Sequence, residues 1–92
     1  MAFKRANVFF SGMVQGVGFR FTASRLAGQA GLVGYVKNLH DGKVELMVQG
    51  KEEKISDLIY NLKENYFSEY VRDAEVQWLE PVGIYKDFSI VF

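Results

Sequence analysis

Between an alternating apolar run and a helical stripe the chain reads SGMVQGVGFR, Ser11 to Arg20, with Gly12, Gly16 and Gly18 inside seven residues. Glycine loses more backbone entropy on ordering than any other residue, so such a cluster needs a reason. The flanks supply one. From Arg5 to Ser11, Ala6, Val8 and Phe10 fall on one face and Arg5, Asn7 and Phe9 on the other, the period of a strand. After the glycines, Phe19, Ala23, Leu26, Ala27 and Ala30 recur at helical spacing. The stretch therefore predicts a strand-to-helix turn. The first N–H groups of a helix lack partners and carry partial positive charge, so an anion binds there readily. Glycines allow successive N–H groups to turn toward one point, and Arg20 adds a guanidinium at the same place. Gly12, Gly16 and Gly18 are together expected to build an anion cradle. The pattern is neither a P-loop nor G-x-G-x-x-G.

The remainder alternates in the same way. Gly31 is placed to end the first helix, and Gly28 inside it costs about 1 kcal/mol relative to alanine. LVGYVKN and KVELMVQ are strand-like runs separated by LHDG, and Asp-Gly predicts an antiparallel hairpin. Ile55, Leu58, Ile59 and Leu62 mark a second helix, with Glu52 and Glu53 in its first turn. AEVQW alternates again, with Ala74, Val76 and Trp78 on one side, and DFSIVF follows Pro81 as a short last strand. The order β-α-β-β-α-β plus a terminal strand predicts an α+β, ferredoxin-like split β-α-β sandwich: an antiparallel sheet with two helices on one face. One domain over residues 1–92 is expected.

Charge and composition exclude several classes. Lysine plus arginine and aspartate plus glutamate number 11 each, a net charge of zero, which argues against sequence-independent nucleic-acid binding. The halves differ: residues 1–50 carry 6 − 2 = +4 and residues 51–92 carry 5 − 9 = −4, so the first half suits a small anion. Cysteine is absent, which removes disulfides, thiol nucleophiles and thiolate zinc sites. The first residues do not read as a signal peptide, and no run approaches the ~20 apolar residues of a membrane span, so a cytoplasmic protein is expected.

GMVQGVGFR at Gly12–Arg20 closely resembles the first signature of acylphosphatases, and GYVKNLHDGKVELMVQG at Gly34–Gly50 resembles their second. The element order is also that family's, so the likeness spans nearly the whole chain. It implies hydrolysis of acyl phosphates to a carboxylate and phosphate. Carried over by position, it implies a phosphate loop at Gln15, Gly16, Val17, Gly18 and Phe19, an essential arginine at Arg20, and a water-positioning asparagine at Asn38. No metal or cofactor is implied, and phosphate is expected as product and competitive inhibitor of a monomeric enzyme. Many relatives place a Gly-Pro step after the second helix; this chain has ENYFSEY.

Other residues have simpler readings. His40 and Asp41 are expected as exposed turn residues, Lys37 as a solvated strand-end lysine, and Tyr66, Phe67 and Tyr70 as a cover for a helix end. Gln15 is expected to use its backbone N–H rather than its side chain on an anion. The competing class is a phosphate-binding regulatory domain without turnover. Asn38 separates the two, because an anion sensor has no use for a positioned water.

Overall fold

The computed structural model describes residues 2–92. Five strands and two helices follow one another as β1 (Phe3–Gly12), α1 (Phe19–Gln29), β2 (Val33–Asn38), β3 (Val44–Lys51), α2 (Glu52–Tyr60), β4 (Val71–Leu79) and β5 (Phe88–Val91). The strands form one sheet in the order β4-β1-β3-β2-β5. Its inner face carries Ala6, Val8 and Phe10 of β1, with Val36 of β2 and Val44, Leu46 and Val48 of β3. Register brings these side chains level: Val8 lies opposite Leu46 and Val76, and Val36 opposite Leu46. Phe19, Ala23 and Ala27 of α1 and Ile55 and Leu58 of α2 join the same core, so both helices lie on one face. The alternation and the helical stripe read from the sequence are thus the inward faces of these elements.

The four strands of the split unit pair antiparallel, as expected, while β5 runs parallel to β2 and makes the sheet mixed. The reason is the route of residues 80–87. These leave β4 at one edge, cross beneath β1, β3 and β2, and rise as β5 at the other edge. Four strand spacings are about 19 Å, within the reach of eight extended residues. The crossing is tied down as it goes. Arg5 Nε donates to the Glu80 carbonyl at 2.9 Å, and Gln49 exchanges two 2.8 Å bonds with the Val82 backbone. The Gly34 N–H then donates to the Asp87 carbonyl at 2.9 Å.

Element ends follow local chemistry. Gly31 and Leu32 donate to the Gly28 and Ala27 carbonyls, a Schellman stop for α1. The β2–β3 hairpin turns through His40, Asp41 and Gly42, with Gly42 N–H bonded to the Leu39 carbonyl and Lys43 N–H to Asp41 Oδ1 at 3.0 Å. Beyond α2 the chain continues as a π-helical segment, Asn61–Tyr66, where Leu62 is still buried. Phe67 then folds inward against Phe19, ring centroids 4.8 Å apart, while Tyr66 and Tyr70 stay exposed. Val76 and Trp78 share the inner side with Ala74 but lie on the edge strand and remain partly exposed.

Candidate active site

The direction of the strands decides what meets at the upper end of the sheet. β1, β2 and β5 all run upward, so the turn after β1, the end of β2 and the end of β5 converge there. A cleft of about 170 Å³ opens between them. That is well below the ~300–1,000 Å³ of pockets for drug-sized molecules, so its size selects a small ligand. Gly16, Gly18, Phe19, Arg20 and Asn38 line it, five of the residues singled out in the sequence.

The turn is anchored at its base by the fully buried Val14. Gly16 and Gly18 then adopt φ of 79° and 82°, the left-handed region that other residues reach at a cost. Gly18 is the N-cap of α1 and offers no side-chain acceptor. The first helical bond runs from Thr22 N–H to the Gly18 carbonyl at 3.0 Å. The N–H groups of Phe19, Arg20 and Phe21 precede it and remain available to an anion. Phe19 holds this helix start in place, its ring packed between Phe10 and Phe67 at 4.8 Å from each.

Gly12 does not belong with the other two glycines. It sits where the β1–β4 register shifts, and a Cβ there would overlap the Tyr70 carbonyl oxygen. Met13 N–H donates to that same carbonyl at 2.9 Å. Close backbone approach, not anion binding, is what requires glycine at this position.

Arg20 occupies the first turn of α1, with its guanidinium carbon 5.1 Å from the centre of the Phe92 ring. A ring contact steadies a guanidinium without consuming its N–H donors. Among the described residues Arg20 has no carboxylate partner, and the one ion pair found is Lys63–Glu64 at 4.0 Å. Across the cleft, Asn38 ends β2 on the same face as buried Val36, two residues earlier, and so points toward the helix start. Its neighbour Lys37 faces the other way.

Gln15 and Val17 do not line the cleft with their side chains. Val17 packs against the core, and the Gln15 amide donates to the Leu39 and Lys43 carbonyls at 2.7 and 2.9 Å. His40 and Asp41 are exposed in the turn. The apolar wall opposite the loop is Phe21, Ile90 and Phe92, none of which stood out in the sequence. Phe21 follows Arg20 closely enough to be found by position alone. Ile90 and Phe92 had no local signal, since they reach Asn38 only because β5 pairs parallel with β2, Ile90 beside Val36.

The acylphosphatase family model matches residues 6–90, which include every residue of the cleft except Phe92. The chain belongs to the acylphosphatase family. An acylphosphatase of Caldanaerobacter subterraneus subsp. tengcongensis is 41% identical over 95% of this chain and 97% of its own. The crystal structure of acylphosphatase from Bacillus subtilis superposes with a TM-score of 0.88 at 31% identity, covering 97% of this chain and 99% of that one. Full-length HypF, in a phosphate- and nucleotide-bound form, gives a TM-score of 0.88 at 35% identity over 99% of this chain but 12% of its own. The ferredoxin-like α+β reading thus stands, and the chain is an acylphosphatase-family enzyme. Among the described residues no helix is long and apolar enough to cross a membrane.

Proposed function

We propose that this acylphosphatase-family chain hydrolyses the carboxyl–phosphate bond of acyl phosphates. Water attacks phosphorus, the P–O bond to the acyl oxygen breaks, and a carboxylate, inorganic phosphate and a proton result. The backbone of Gln15–Phe19 and the Arg20 guanidinium hold the phosphoryl oxygens, and the Asn38 amide holds the attacking water. One observation carries this reading: a guanidinium with no carboxylate partner among the described residues, the free N–H groups of a helix start and an asparagine amide open onto one small cleft. Phosphoryl transfer through a loose transition state depends on positioning and charge stabilisation, which these groups supply. The leaving carboxylate belongs to an acid of pKa near ~4–5, so it departs without a strong general acid. The acyl group lies along Phe21, Ile90 and Phe92.

Positive charge for the transition state comes from Arg20 and backbone N–H groups, so no metal is called for. Purified protein is therefore expected to hydrolyse acetyl phosphate and benzoyl phosphate at the same rate with and without EDTA. Inorganic phosphate is expected to inhibit competitively. Loss of turnover on chelation, restored by magnesium, would refute this mechanism.

A further inference from the structure

We infer that Gln15 is a positioning residue, clamping the anion-holding loop to the turn beside Asn38 so that both halves of the site keep one geometry. The inference rests on the role proposed for Asn38 above. The two halves come from separate parts of the chain. The loop leaves β1 and leads into α1, whereas Asn38 ends β2 and is followed directly by the turn at Leu39. The loop spends a backbone bond on the turn before β4 through Met13 N–H and the Tyr70 carbonyl. The turn closes on itself, Leu39 N–H donating to the Lys43 carbonyl at 2.8 Å and Gly42 N–H to the Leu39 carbonyl at 3.2 Å.

The Gln15 side chain bridges them. Its Nε2 donates to the Leu39 carbonyl at 2.7 Å and to the Lys43 carbonyl at 2.9 Å. Both lengths are at or below the usual mode for N–H···O bonds, and both hydrogens of one primary amide are used, which sets the amide plane. Leu39 and Lys43 are the residues that close the turn, so the clamp grips the strand end one peptide beyond Asn38. Folding does not depend on it. Each carbonyl already accepts a backbone N–H, and Lys43 is exposed, so loss of Gln15 strands no buried group. What depends on it is the distance between the Asn38 amide and the phosphate held by the loop. A misplacement of about 1 Å can cost ~10²-fold in rate.

The test uses Gln15→Met, which keeps side-chain length and removes the donor. Turnover of benzoyl phosphate is expected to fall by ~10-fold or more, while the Kd for inorganic phosphate stays within about twofold of wild type. Adding Gln15→Met to Asn38→Ala should cause no further loss, because residues that act through one another are not additive. In parallel, amide order parameters of residues 39–43 should fall in Gln15→Met while those of residues 16–21 with phosphate bound stay unchanged. Wild-type turnover, or an undiminished order parameter in the turn, overturns the clamp. A multiplicative loss in the double variant overturns it too, since Gln15 would then act on substrate independently. Lost phosphate binding would instead make Gln15 part of the cradle and equally overturn positioning. Normal turnover in Asn38→Ala alone would fail the earlier proposal, separately from these results.

Discussion

Arg20 is held by an aromatic ring rather than by a carboxylate, and that choice has a consequence for stability. A salt bridge would leave its guanidinium neutralised and oriented away from a ligand. As arranged, its five N–H donors remain for an anion, and their loss removes little from the ligand-free fold. Phosphate at ~100 times its Kd is expected to stabilise the protein by about 2.7 kcal/mol. Arg20→Ala should lose most of that increment and nearly all turnover, with ligand-free melting close to wild type. Thermal scans of both proteins with and without phosphate check this. An equal phosphate-induced shift in the variant would place the anion elsewhere. Arg20 stood out beside the glycine loop and Asn38 through the family resemblance, and both line the cleft. Gly12, Gly16 and Gly18 were not separable in the same way, because a glycine string does not say which member meets a ligand and which meets a neighbouring backbone. The Tyr70 carbonyl makes that distinction, and it arrives from a turn that is remote in sequence.

The helix α1 begins without a side-chain cap, on a glycine in the left-handed region. A serine or aspartate cap gains roughly a few tenths of a kcal/mol over glycine by satisfying an N–H group. Here such a cap would compete for the same donors with the anion of the proposed function. The helix is also weakened at Gly28, which is exposed, and a Cβ built there meets nothing within 4 Å. Gly28→Ala is accordingly expected to stabilise the protein by ~0.5–1 kcal/mol, through propensity and the unfolded chain. Turnover should be unchanged, since Gly28 lies at the far end of α1 from the cleft. Denaturant melts with parallel rate measurements check both statements. A destabilised variant would show that Gly28 serves the Schellman stop in a way alanine cannot. The second helix gives a different lesson. Its apolar stripe from Ile55 to Leu62 was readable from spacing, but its π-helical continuation was not. It ends where Phe67 N–H bonds the Leu62 carbonyl, five residues back, and the Phe67 ring packs on Phe19, a tertiary contact with no local signal.

At the level of the whole molecule, the outer sheet face carries a half-buried polar network that the function does not use. Tyr35 and Asn7 both donate to Glu45 Oε2, at 3.1 and 3.0 Å, from strands that flank β3. Burial, and then the Glu45 charge, push the Tyr35 hydroxyl up from 10.0 to about 12. The folded protein thus holds this proton more tightly than the unfolded chain. Its contribution to stability is complete below pH 10 and is lost as pH rises toward 12. Urea unfolding across that range should therefore show stability falling with pH, and Tyr35→Phe should fall less steeply over the same window. Identical slopes would mean that the hydroxyl ionises with the same ease in both states. Strands, helices, the hairpin and the inward faces could all be read along the chain, because periodicity and turn chemistry are local properties. So could the glycine loop with Arg20 and, through the family resemblance, the strand end with Asn38. Their meeting could not. It needs three strands to run in one direction, and the last of them does so because residues 80–87 pass beneath the sheet to its opposite edge. The apolar wall of Ile90 and Phe92 and the Gln15 clamp follow from that packing, which joins residues whose local sequences contain no reference to one another.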